Sequence, residues 1–317
     1  MTSTIGIDVG GTKIAGGVVA EDGTILQSMR RESPATDPQA IKDTIADLVT
    51  ALATGHDVSG VGVAAAGFID RDRSTVLFAP NLAWRDEPLR AELESRLHLP
   101  VIIENDANAA AWGEFTFGAA ADAKDLLLIT IGTGVGGGLV LEGELMRGGF
   151  GIGAEIGHLR MVPNGRLCGC GNHGCLEPYA SGTALVKGAR AEAAAGSLLA
   201  KELLDRAGGD LEAIDGPMIT TAAQDGDGFA IAQLAEVGQW IGLGVASLAA
   251  VLDPTVVVIG GGVSEAGELL LDPIRAAFRG ELTGRGHRPE LEIRQATLGN
   301  TAGLLGAADL VRADTRR

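Results

Sequence analysis

The segment Thr4–Leu26, TIGIDVGGTKIAGGVVAEDGTIL, reads as an apolar strand ending at Asp8, a glycine turn, and a returning strand over Ile14 to Val19. A turn at Glu21-Asp22-Gly23 and a third strand complete it. The same arrangement returns at Leu126–Met146, LLLITIGTGVGGGLVLEGELM. Here a strand runs to Ile131, the turn is Gly132-Thr133-Gly134, a strand runs to Leu141, and a further turn falls at Glu142-Gly143. A chain that repeats such a unit is confined to a duplicated architecture. At 317 residues it also exceeds what most single cores support, so the expectation is two α/β units with a cleft between them.

The intervening segments fit that expectation. DPQAIKDTIADLVTALAT has the apolar spacing of a helix, VSGVGVAAAGFID reads as one strand, EPLRAELESRLHLP as a short amphipathic helix and VIIEND as another strand. ANAAAWGEFTFG is helical and leads into the second repeat. GQWIGLGVASLAAVLD reads as a long buried helix, and PTVVVIGGGVSEAG as strand, glycine turn and helix start.

Composition narrows the function classes. A formal charge of -16 with no compensating basic run opposes nucleic acid and anionic lipid as partners. The N-terminus lacks the basic start and apolar stretch of a secretory signal, and no uncharged segment is long enough to cross a bilayer, so a cytoplasmic protein is expected. Three cysteines cannot all pair within one chain, and clustered thiols in a reducing compartment more often hold a metal.

The glycine turns suggest phosphate chemistry. Gly10, Gly11 and Thr12 can set main-chain N–H groups and a hydroxyl against a phosphate, because glycine lets the backbone approach closely. The spacing is neither a Walker loop nor a dinucleotide fingerprint. Asp8 is placed to hold Mg²⁺ through water, with a turn cap as the alternative; Lys13 can equally reach a phosphate or point to solvent. Gly260, Gly261 and Gly262, after an apolar strand, would let an adenosine lie on the backbone. Asn105 and Asp106 stand between a strand and a helix, where Asp106 suits either a helix N-cap or a carboxylate that takes a proton from an attacking hydroxyl. Cys168, Cys170 and Cys175 with one histidine complete a tetrahedral Zn²⁺ set, structural because no position is left open. His158 and His173 both qualify by spacing, and free thiols or a redox pair are the alternative. His56, His98 and His287 sit in polar contexts that suggest no role.

Taken together, DVGGTK, IGTGVGGG, GAEIGH and CGCGNHGCLE resemble the ROK family of sugar kinases and related repressors along nearly the whole chain and in family order, and PNLAWRD resembles its glucokinases in particular. The resemblance implies a duplicated actin-like ATPase (ribonuclease H-like) α/β fold with two lobes around a central cleft. The small lobe would comprise 1–108 and 301–317, and the large one, 109–300, would carry the zinc hairpin. It implies ATP and Mg²⁺ as working cofactors, structural Zn²⁺ with His158 as fourth ligand, and D-glucose phosphorylated to glucose 6-phosphate with Asp106 as general base. The sugar would meet Gly67, Asn81, Asn105, Asp106, Glu155, His158 and Glu177. The nucleotide would meet Asp8, Gly10, Gly11, Thr12 and Lys13, the second turn Gly132, Thr133, Gly134 and Val135, and Gly260 to Gly262. The chain has Ala66-Gly67 where many members have Pro-Gly, which weakens the placement of Gly67. A homodimer or homotetramer is implied. Kinases for mannose, fructose, allose or N-acetylated sugars, and polyphosphate as donor, are alternatives within the family. A sugar-responsive repressor is the alternative of another class; it is disfavoured by the acidic charge and by the few residues ahead of the first strand.

Overall fold

A computed structural model describes residues 2–315. Strands β1 (Ser3–Val9), β2 (Lys13–Val19), β3 (Ile25–Glu32) and β4 (Val58–Ala65) precede three short ones, β5 (Phe68–Ile69), β6 (Val76–Phe78) and β7 (Arg85–Glu87). Then come β8 (Val101–Asn105), β9 (Leu126–Ile131), β10 (Val135–Leu141), β11 (Glu144–Leu145), β12 (Val256–Gly260) and β13 (Glu292–Gln295). The repeat read from the hairpins extends to whole sheets. One has the order β3-β2-β1-β4-β8 and the other β11-β10-β9-β12-β13, the same path traced twice. In the first, β1 and β3 run antiparallel to β2, while β4 is parallel to both β1 and β8.

Helices α1 (Pro38–Ala53), α2 (Leu89–Leu97), α3 (Asp106–Phe117), α4 (Glu177–Ala180) and α5 (Gly182–Ala194) are joined by α6 (Lys201–Arg206), α7 (Gly216–Gln224), α8 (Gly228–Leu252), α9 (Glu268–Glu281) and α10 (Ala302–Thr315). By packing, the chain forms two units. One is Met1–Leu128, Gly138–Ala154 and Thr297–Arg317; the other is Ile129–Gly137 and Glu155–Ala296.

In the first unit α1 starts where Asp37 accepts from the N–H groups of Gln39 and Ala40 and where Pro38 presets the first turn. Its Ile41, Ile45, Leu48 and Leu52 recur at helical spacing and are buried against Ile5, Ile7, Val61 and Val63 of the sheet. VSGVGVAAAGFID is not one strand: the chain bends at Ala66-Gly67 between β4 and β5. A Cβ on Gly67 would stand 2.4 Å from the Phe78 carbonyl oxygen, so the bend depends on the missing side chain.

In the second unit α8 begins at Gly228, well ahead of the apolar run that signals it, because Asp227 accepts from the Phe229 and Ala230 N–H groups. Its 25 residues have the length and apolar content of a membrane span, although Glu236 interrupts the helix so that it holds no uncharged stretch of that length. Half of its most apolar window is buried inside the protein, and α9, α7, α5 and α4 pack on it, as expected for a core helix.

Glu114 ties the end of α3 to the start of α10. Fully buried, it accepts from the backbone N–H groups of Thr297 (3.0 Å), Leu298 (2.8 Å) and Ala119 (2.8 Å). Glu114→Ala removes the acceptor for Thr297 and Leu298, and a loss of about 3 kcal/mol is expected in chemical denaturation.

Candidate functional site

Strand register sets the first group of residues. Val9 pairs with Ala65 and Ala65 with Asn105, so Asp8, Gly10 and Asn105 all stand at the C-terminal ends of parallel strands, where open α/β sheets bind ligands. The first glycine turn is tight: the Gly10 N–H donates to the Lys13 carbonyl at 3.0 Å, and the Thr12 and Lys13 side chains are exposed. The cap of α3 is Asn105, whose Oδ1 accepts from the Asn108 N–H at 3.0 Å, and Asp106 is the first helical residue. The alternative reading of Asp106 as the N-cap is thereby displaced by one position. Asn105 Nδ2 donates to the Gly67 carbonyl at 3.1 Å, and one Asp106 oxygen accepts from the Ala107 N–H at 2.9 Å. Asn81 is exposed in the loop between β6 and β7.

Two carboxylates share this end of the sheet, both with raised proton affinity. Burial, then the Asp106 charge, push the Asp8 carboxyl up to about 6, with Lys13 pulling the other way. Burial also raises Asp106, against hydrogen bonds that lower it.

The second unit gathers the remaining candidates. The Gly132 N–H donates to the Gly134 carbonyl (3.0 Å), while the Gly182 N–H and Thr183 hydroxyl at the start of α5 reach the Gly132 and Thr133 carbonyls at 2.8 and 2.7 Å. Glu177 holds this turn as well, one oxygen accepting from the Val135 N–H at 3.0 Å. Gly261 has φ +82°, and a Cβ there would meet Ile131 backbone atoms at 2.6 Å; Gly262 beside it faces open space. Glu155 is exposed, and His158 ends a short 3₁₀ turn, Ile156–His158.

The cysteine segment is held by two isolated bridges, Arg160 with Cys175 and Leu167 with His173, rather than by a regular ladder. His158, Cys168, Cys170 and Cys175 offer donor atoms all within 4.8 Å of one another. His158 Nδ1 lies 3.6 Å from Cys168 Sγ, and Cys170 Sγ 3.8 Å from Cys175 Sγ. Around an ion with Zn–S bonds of ~2.3 Å a tetrahedral edge is about 3.8 Å, so the donor set fits. His173 Nδ1 instead meets the Gly165 carbonyl at 3.0 Å. Burial pushes the Cys168 thiol up to about 12, and the Asn172 backbone N–H draws Cys170 down.

Sequence reasoning missed the fully buried Glu104 and its partners Arg73 and Arg147. The available signal was an acid within the apolar strand VIIEND, directly before Asn105 and Asp106.

The profile of the ROK family matches residues 4–314. The chain is 49% identical over 312 residues to a glucokinase of Streptomyces coelicolor, covering 98% of each. Its fold matches the crystal structure of a ROK family glucokinase from Streptomyces griseus in complex with glucose and AMPPNP, with TM-score 0.89, 50% identity, and 98% of this chain and 99% of that one covered. A ROK hexokinase from Thermus thermophilus matches with TM-score 0.81 and 33% identity over 99% of both chains.

The Asp8 shift carries a sign. A carboxyl whose pKa is about 6 folded against 3.8 ordinarily holds its proton more tightly in the native state, so stability is lost as pH rises between those values and is level above them. Asp8→Asn should therefore raise the melting temperature of nucleotide-free protein by an amount that grows from about pH 4 to about pH 6 and then stays constant. A gain independent of pH, read by thermal unfolding across that range, would contradict the assignment.

Proposed function

The chain belongs to the ROK family, and from that footing we propose that it transfers the terminal phosphoryl group of ATP to D-glucose, giving glucose 6-phosphate and ADP, with Asp106 as general base. The observation that carries this is the placement of Asp106 at the first position of α3, its backbone fixed by the Asn105 cap and its carboxyl desolvated. Desolvation raises its proton affinity, which makes the ionised form a stronger base for a hydroxyl losing its hydrogen. Phosphoryl transfer needs little else from the protein beyond in-line positioning and charge neutralisation.

Asp8 is the residue suited to Mg²⁺, held through water. A cation there would offset the burial and the Asp106 repulsion that lift its pKa, and would supply charge neutralisation to the phosphates. The Gly10 N–H is committed to closing its own turn, so the phosphate-facing groups of that turn are Gly11, Thr12 and the Lys13 ammonium. Gly132 to Val135 form the matching turn of the second unit, and Gly260 to Gly262 the surface for adenosine. Asn81, Asn105, the Gly67 backbone, Glu155, His158 and Glu177 are the hexose ligands. The relative from Streptomyces griseus, crystallised with glucose and AMPPNP, supports both substrates.

The Cys₃His set is read as a structural zinc site. Three thiols this close, two of them buried, hold their charge only around a cation, and a closed tetrahedron leaves no ligand position for catalysis. The His158 ring then has its second nitrogen available for a sugar hydroxyl, oriented by the metal. Reduced thiols and ATP both suit a cytoplasmic protein.

A coupled ADP-release assay over a panel of hexoses tests the activity, with glucose expected to give the highest kcat/KM. Asp106→Ala should lower kcat by roughly a hundredfold to ten-thousandfold with the fold intact; activity within tenfold of the parent removes the base. Purified protein should carry about one zinc per chain, and Cys170→Ser should lose it together with thermal stability, as metal analysis and melting would show.

A further inference from the structure

Glu104 is fully buried at the end of β8, yet two arginines pair with it. Its Oε2 lies 2.9 Å from Arg73 Nε and 2.8 Å from Arg147 Nε. Its Oε1 accepts from Arg147 Nε (3.0 Å), from the Asn105 backbone N–H (3.0 Å) and from Asn108 Nδ2 (3.2 Å). Arg147 uses the rest of its fork on backbone, donating to the Arg71 carbonyl at 2.6 Å and the Asp70 carbonyl at 2.9 Å. The Arg73 carbonyl in turn accepts from the Ile103 N–H at 3.0 Å.

Three chain segments therefore converge on one carboxylate. The first is the turn after Gly67, the second the junction that carries Asn105 and Asp106, and the third the stretch from Arg147 that runs along the chain toward Glu155. The third is seated closely on the first: Gly151 has φ +89°, and a Cβ on it would stand 2.7 Å from Ile69, Asp70 and Arg71 backbone atoms. We propose that Glu104, Arg73 and Arg147 form a buried charge clamp that positions Asn105 and Asp106 for the hexose, with Arg147 as the positioning residue that gathers the other two segments.

This rests on the kinase reading above and adds a cause for its geometry. A buried carboxylate between guanidinium groups tolerates few arrangements, since each lost hydrogen bond leaves a charge without its partner. An apolar contact at the same place would allow the helix start to slide, and displacement of a reacting group by about 1 Å can cost a hundredfold in rate. The same unit contains an ion cluster that serves as a control. Lys42, also buried, bridges Glu87 at 2.9 Å and Glu92 at 2.7 Å and joins α1 to β7 and α2.

The test compares Arg147→Met with Lys42→Met by steady-state kinetics, thermal melting and amide hydrogen exchange. Both should lower the melting temperature. Arg147→Met should raise the hexose KM about tenfold or more and lower kcat, with the ATP KM within about twofold, whereas Lys42→Met should leave all three within about twofold. Arg147→Lys keeps the charge but loses the fork, and should recover melting temperature more than hexose KM. Exchange should quicken at residues 104–108 and 147–154 in Arg147→Met alone. Hexose and ATP constants that move together, or that match those of Lys42→Met, overturn the clamp. If the parent phosphorylates no hexose, the kinase reading fails and the exchange data alone decide, unchanged protection at 104–108 refuting the clamp.

Discussion

Parallel pairing of β1, β4 and β8 is the constraint from which the first unit's chemistry follows. Once Val9 faces Ala65 and Ala65 faces Asn105, the residues that leave these strands leave together. Asp8 and Asp106 then share one end of the sheet without any side chain having to reach for the other. The cost is electrostatic: burial raises both carboxyls, and the Asp106 charge raises Asp8 further. Such a pair is poorly suited to an empty site and well suited to one that receives a cation and a proton.

What fixes the position of that pair is polar rather than apolar. Asn105 Oδ1 accepts from the Asn108 N–H, its Nδ2 donates to the Gly67 carbonyl, and its own N–H donates to Glu104. At the far end of α3, Glu114 gathers the amides of Thr297 and Leu298 before α10. One helix is thus held at its two ends by buried carboxylates, one paired with arginines and the other satisfied by backbone N–H groups and the Thr297 hydroxyl. Hydrogen bonds specify angle as well as distance, so the two anchors set both the rotation and the depth of α3, which packing of its small alanine face would leave loose.

Much of this was legible in the sequence, for physical reasons. The repeated hairpins announced a duplicated sheet because apolar alternation and glycine turns are local signals, and both sheets follow one order. The junction Asn105-Asp106 and the cysteine set were visible because each needs particular residue types at close spacing; spacing left His158 and His173 open, the family resemblance pointed to His158, and His158 lies among the three thiols while His173 meets the Gly165 carbonyl. Three features were not legible. The bend at Gly67 depends on a carbonyl eleven positions away in the chain, at Phe78. The start of α8 depends on an aspartate cap, Asp227, set close to a second aspartate in QDGDG, and the arginines of Glu104 come from turns with no motif of their own. Sequence periodicity reports faces of elements, whereas these features are contacts between them.

The second unit shows why a glutamate follows the last cysteine so closely. Glu177 begins α4 directly after Cys175 and Leu176, and its Oε2 holds the Val135 N–H in the glycine turn while Oε1 lies 3.9 Å from Cys168 Sγ. The turn itself is braced from its other side by Gly182 and Thr183 of α5. A segment with few apolar residues thereby gains a fixed place relative to the turn, and any ion gathered by the four donors fixes Glu177 and the turn together. Cysteine cluster, acid and glycine loop are one mechanical piece, which makes the cluster part of the turn's geometry.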